Sequence, residues 1–146
     1  MRFLECFLCF MRRKSKENEV FRLIKEATKG LYYVSETDAK LEPFIGGKVD
    51  ALTREEFLKH FGVGEKEKVE ERDFEKFFER LVKVQDWYGE HEREMARKYE
   101  KLQKVMKENL RDLKVFRIGR VEIDIYVVGV DSQGNLMGFK TKAVET

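Results

Sequence analysis

The sequence predicts an α+β domain in which helices lie against a mostly antiparallel sheet, and three stretches carry that prediction. Residues 91–110 set Met95, Tyr99, Leu102, Met106 and Leu110 on one helical stripe with Val105 beside it, while the opposite face is Glu, Arg and Lys throughout. Residues 117–130 alternate Val121, Ile123, Ile125 and Val127 against Glu122, Asp124, Tyr126 and Val128, the period of a strand with one face buried. The turn DSQGN then hands the chain to residues 136–145, read as the antiparallel partner. A helix with one apolar stripe must rest it on something, and the sheet that follows at once supplies the surface.

The other elements follow in chain order. The opening MRFLECFLCFMRRK lacks the shape of a signal peptide: Glu5 interrupts a short apolar run, the basic run Arg12, Arg13 and Lys14 follows it, and no small-residue cleavage site appears. A packed or frayed apolar arm over 1–16 is the favoured reading, with a reversible acyl anchor on Cys6 or Cys9 as the alternative. The CxxC of Cys6 and Cys9 has no second ligand pair for zinc and no strand-to-helix context for redox chemistry. Residues 17–29 place Val20, Leu23, Ile24 and Ala27 on one helical face, and Gly30 stops the helix. Residues 31–34 read as a short strand, Ser35 to Asp38 as an acidic turn, and Phe44 with Ile45 as the next apolar piece, together a hairpin-like excursion. Thr53 with Glu56 is a capping box that opens a short helix through Phe61, closed by Gly62 and Gly64. Asp73 caps a helix carrying Phe74, Phe77, Phe78 and Leu81, and VQDWYGE separates it from the long helix.

With 146 residues the chain has the size of one domain. Charged residues make up 40% of it, yet 30 Lys and Arg against 28 Asp and Glu leave a net charge of only +2. That balance argues against wrapping nucleic acid by bulk electrostatics, and also against a broadly acidic DNA mimic. Twelve Phe, five Tyr and one Trp supply a core, so the charge density reads as a solvated surface rather than disorder. No run is long enough to span a membrane, and no membrane association is expected.

No catalytic constellation emerges. The two histidines, His60 and His91, both sit in strongly polar helical patterns and read as solvent-facing, and GVGEKE lacks the spacing of a phosphate-cradling loop. The chain is expected not to be an enzyme and to need no cofactor or metal of its own. The remaining candidates are residues in loops and at the chain's end, where binding groups concentrate: Glu36 and Asp38 at the hairpin tip, Asp86 with Trp87 at the helix break, and Glu145 with Thr146. The bland alternatives are a solvated turn for the acids, a core aromatic for Trp87, and an ordinary strand end for Thr146.

The run DFEKFFERLVKVQDWYGE, the segment MKENLRDLKVFRIGRVEIDIYVVG and the ending GNLMGFKTKAVET closely resemble the nuclease A inhibitor family, protein inhibitors of sugar-nonspecific DNA/RNA endonucleases. EATKGLYYVSETDAKLEPF is similar to the family's N-terminal part. The resemblance runs over a domain of 17–146, leaving 1–16 outside it and diverging over 45–72. It implies a three-layer α/β/α sandwich of the pathogenesis-related-1-like type around a mostly antiparallel sheet. It also implies a one-to-one complex with a metal-dependent endonuclease whose site holds Mg²⁺ and phosphate-gripping arginines. Glu36 matches the family's inhibitory acidic residue, Asp86 and Trp87 its Asp-Trp contact pair, and Thr146 the terminal Thr that reaches the partner's metal. Asp38 and Glu145 join them as expected contacts. A free monomer in the cytoplasm is expected, with no direct nucleic-acid binding; a non-inhibitory interaction module on the same fold is the alternative.

Overall fold

The computed structural model describes residues 19–49, 52–62 and 68–146. The arm 1–16 with Cys6 and Cys9, the first two residues of the expected helix 17–29, and Gly64 of GVGEKE lie outside the described residues. Within them the chain runs α1 (Glu19–Thr28), β1 (Tyr32–Val34), β2 (Asp38–Lys40), β3 (Glu42–Lys48), α2 (Arg54–Phe61), β4 (Val69–Arg72), α3 (Phe74–Val82), α4 (Glu90–Asn109), β5 (Arg111–Ile118), β6 (Glu122–Val130) and β7 (Asn135–Val144). The five-stranded sheet has the order β3-β7-β6-β5-β4, every neighbour antiparallel, and β1 pairs with β2 in a separate two-stranded ribbon. The protein is thus a mixed α+β domain with antiparallel sheets.

The helix boundaries follow from local chemistry. Thr53 Oγ1 accepts from the Glu56 amide at 3.2 Å, and Gly62, with φ +62°, closes α2 by donating its N–H to the Leu58 carbonyl. Asp73 caps α3 through its carboxylate and the Lys76 amide, 3.2 Å apart. On α1 the buried side chains are Ile24 and Thr28, with Val20 and Ala27 packed beside them, whereas Leu23 is 40% exposed. The buried face therefore runs through Val20, Ile24, Ala27 and Thr28 and leaves Leu23 outside it, with the helix packed on α4 and β3.

Two hydrophobic clusters lie on opposite faces of the sheet, and the strand period assigns neighbours to different clusters. Val115, Val127 and Met137 face α1, α3 and α4, with Ile24, Phe78, Tyr99, Leu102 and Met106 as their partners. Phe116, Val128 and Leu136 face α2, where Phe57 stacks on Phe116 with centroids 4.1 Å apart. Each such buried side chain contributes roughly 1.5–3 kcal/mol, against about 0–1 kcal/mol for an exposed ion pair, so sheet-to-helix packing holds the fold.

Three sequence expectations need correction. The single strand over 117–130 is two: β5 ends at Ile118 and β6 begins at Glu122. Gly119 makes the turn with φ +118°, and a Cβ there would collide with the Glu122 carbonyl. The apolar period slips by one residue at the turn, from Phe116 and Ile118 to Val121 and Ile123, and that slip marks the boundary. Nor is only one face buried, since Val128 and Val130 pack against the α2 side. The excursion at 31–45 closes on β2 instead of at Phe44, and Phe44 lies on the longer β3 of the main sheet. The edge strand β4, sequence VEER, carries no apolar alternation that sequence reading could detect.

Candidate functional site

The β1–β2 hairpin is held over the α3–α4 side of the molecule by its alternating residues. Tyr33 turns inward, buried and stacked on Phe77, with centroids 5.8 Å apart. The Tyr99 hydroxyl on α4 donates to the Tyr32 carbonyl at 2.6 Å, and burial pushes that phenol's ionisation well above its ordinary range, so it remains a donor. Thr141 on β7 donates to the Lys40 carbonyl at 3.1 Å, tying β2 to the main sheet. Tyr32 and Val34, the outward partners of Tyr33, are 39% and 66% exposed.

The hairpin tip meets the end of β7. The Val144 amide donates to Ser35 Oγ at 3.0 Å, and the Glu36 amide donates to the Val144 carbonyl at 3.3 Å. Beyond the strand, Thr146 makes two hydrogen bonds to one oxygen of Glu36. Its hydroxyl donates at 2.6 Å and its amide at 3.2 Å, both to Oε1. These donors, the hydroxyl first, hold the Glu36 carboxyl below its ordinary range, against a weak opposing effect of burial. No cation shares the contact among the described ion pairs, so the charge of Glu36 is stabilised without being neutralised.

Between the hairpin and the start of α4 runs an open groove of about 900 Å³ whose walls include Glu36, Asp38, Trp87, Glu145 and Thr146. Five of the six expected contact residues thus come together from positions up to 110 residues apart in the chain. Asp86 is exposed in the α3–α4 turn but is not part of the groove wall. Trp87 is 76% exposed and sits edge-on to Tyr88, centroids 4.6 Å apart, so the core-aromatic alternative does not describe it. A tight turn presents it, with the Tyr88 amide donating to the Gln85 carbonyl at 3.1 Å. Glu145 differs from the others because its Oε1 is 2.6 Å from Arg117 Nη2.

Sequence reading missed Arg80 and His91 as groove-lining residues, and Arg117 and Ser35 as supports. His91 follows an acidic helix start and reads as a solvent residue, which it also is; only the position of the hairpin turns that surface into a wall. Tyr32 and Val34 could have been found, since their alternation with Tyr33 puts them on one outward face. Among the described residues, no three of His, Cys, Asp and Glu converge to hold a metal ion. None of the described helices is long and apolar enough to cross a membrane.

The model of the nuclease A inhibitor-like protein family, NuiA, matches residues 18–146. The chain belongs to this family. None of the curated proteins matches it. For a nuclease A inhibitor-like protein, the match takes in every element described above, the divergent stretch 45–72 included. The family is one of inhibitors, which suggests a protein that binds a nuclease rather than a catalyst.

Proposed function

We propose that this nuclease A inhibitor-like protein inhibits a metal-dependent, nonspecific DNA/RNA endonuclease by inserting Glu36 and Thr146 into its active site, in a one-to-one complex. The observation that carries the reading is the Glu36–Thr146 pair, a charged carboxylate and a hydroxyl sharing a 2.6 Å hydrogen bond at the edge of a groove. Because the Thr146 proton is committed to Oε1, the hydroxyl's lone pairs and the second carboxylate oxygen remain as acceptors without a described hydrogen bond. Two adjacent oxygens, one anionic, resemble the oxygens of a phosphodiester and offer no scissile bond. A nuclease site that holds a hard divalent cation and arginines is their natural complement.

Trp87 supplies the apolar anchor at the other wall, a residue type that dominates binding when covered by a partner. Tyr32 and Val34 extend the apolar contact, and Asp38 and Asp86 flank it. The complex would bury roughly 1,600 Å² in total, the size of a stable inhibitor interface. Helices packed on both faces of the antiparallel sheet support the three-layer, pathogenesis-related-1-like sandwich as the scaffold.

Titrating the purified protein into plasmid digestion by a Mg²⁺-dependent endonuclease of the nuclease A type tests the reading. Activity is expected to fall linearly and reach zero near equimolar inhibitor. Undiminished digestion by the nuclease at a large excess of the protein would instead leave an interaction module without inhibitory action. A salt-sensitive gel shift of DNA by the protein alone would make it a nucleic-acid binder.

A further inference from the structure

Thr146 lies two residues past the last residue of β7, beyond the ladder that fixes the strand's backbone. A hydroxyl that must meet a partner's site in one geometry needs its backbone held, and supports behind a contact residue are what limit its wandering. We propose that Arg117 and Ser35 are positioning residues for inhibition, fixing the chain at Val144 and Glu145 so that Thr146 is delivered to Glu36. The proposal rests on the inhibitory reading above and assigns Glu145 a supporting role in place of a direct contact.

Four contacts hold two successive residues, Val144 and Glu145. Ser35 Oγ accepts from the Val144 amide at 3.0 Å, and the neighbouring Glu36 amide donates to the Val144 carbonyl at 3.3 Å, so the hairpin tip adds a rung to the end of β7. One residue on, the Glu145 amide donates to the Val121 carbonyl at 3.0 Å while its carboxylate meets the Arg117 guanidinium at 2.6 Å. Arg117 is well anchored: it stands on β5, paired with Ile125 of β6 and with Glu70 of β4, and its side chain is 17% exposed against 51% for Glu145. Successive side chains of an extended chain point to opposite sides, so fixing Glu145 toward Arg117 turns Thr146 the other way, toward Glu36.

An ion pair whose carboxylate end lies half in water adds little to global stability, which separates positioning from folding. Arg117→Gln is expected to raise the inhibition constant against the Mg²⁺-dependent nuclease about five- to tenfold with the thermal midpoint almost unmoved. It should also speed amide hydrogen exchange at Glu145 and Thr146 and return the Glu36 carboxyl toward its ordinary titration range, both measured by NMR on the free protein. Reversing the pair, Arg117→Glu with Glu145→Arg, should restore much of the inhibition. Unchanged exchange and unchanged Glu36 titration in Arg117→Gln would overturn the proposal whatever the nuclease assay shows. Fully additive losses from Glu145→Gln and Arg117→Gln would overturn it too, by placing Glu145 directly on the partner. If Glu36→Gln leaves inhibition intact, the inhibitory reading is what fails, while the free-protein NMR still decides the positioning.

Discussion

Glu36 and Glu70 are both surface glutamates whose carboxyls ionise more readily than usual, and the cause separates a candidate binding group from a structural one. Glu70, on the edge strand β4, is drawn down from the ordinary 4.5 to about 2 by hydrogen bonds from Arg72 and then Lys68, with the charge of Lys68 adding to them. Those partners lie 2.7 and 3.1 Å away, so its charge is neutralised within the protein itself. Glu36 is lowered by a neutral hydroxyl and a neutral amide. Its negative charge is stabilised but still unspent, and a cation brought by a partner is the group that would complete it. In a chain with 28 acidic residues, being a carboxylate distinguishes nothing. What distinguishes Glu36 from Glu70 is a partner set without a cation.

The largest expected effect breaks the comparison directly. Glu36→Gln should weaken inhibition of the Mg²⁺-dependent nuclease roughly 30-fold or more, as removing one member of a desolvated charge cluster does, while Glu70→Gln leaves the inhibition constant unchanged. Equal losses in the two variants would mean that Glu36 is no more available than Glu70. Trp87→Ala comes next, with a loss of about tenfold in inhibition and little change in thermal midpoint, because an indole 76% exposed contributes far more to a partner's contact than to the core. A large drop in stability would show that Trp87 packs more tightly than its exposure allows.

Tyr99→Phe sharpens the comparison by disturbing what holds the Glu36 hairpin and nothing around Glu70. Losing the 2.6 Å hydrogen bond to the Tyr32 carbonyl should cost about 1 kcal/mol in urea unfolding and weaken inhibition only a few-fold. The smallest effect is on pH dependence. Both carboxyls titrate lower in the folded chain than in the unfolded one, so each contributes stability that is present above about 4.5 and fades as the pH falls through its folded value. For Glu70 that window extends down to about 2. Followed by NMR, Thr146→Val should move the Glu36 midpoint up toward 4.5 and leave Glu70 where it is; parallel movement of both would point to a general field in place of the Thr146 donors.

Much of the scaffold is legible in the sequence because it rests on interactions between near neighbours. The caps at Thr53 and Asp73, the stop at Gly62, the stripe of α4 and the DSQGN turn each depend on residues within a turn or two, and all appear as read. Where the signal was ambiguous, the missing information was tertiary. The turn at Gly119 reads as part of one strand although the apolar period slips there from Ile118 to Val121, because a slip of one residue between two apolar strands is a weak signal without the pairing that closes the turn. The strand β4 went unseen because an edge beside solvent needs no apolar side chains, only a neighbour with free backbone groups.

The site divides in the same way. The sequence by itself determined which residues could serve: acids in a turn, a tryptophan at a helix break, a threonine after a strand, all in polar surroundings where burial has no claim on them. It could not determine that Glu36 and Thr146 share a hydrogen bond across 110 residues of chain, that Arg117 holds Glu145, or that Asp86 stays off the groove wall. Those facts depend on the hairpin being docked on α3 and α4 by Tyr33 and Tyr99, and on its meeting β7 at Thr141 and Val144, past the stretch paired with β3. Periodicity and capping are short-range and are written along the chain, whereas the partner of a carboxylate is whichever donor the packed fold brings within about 3 Å.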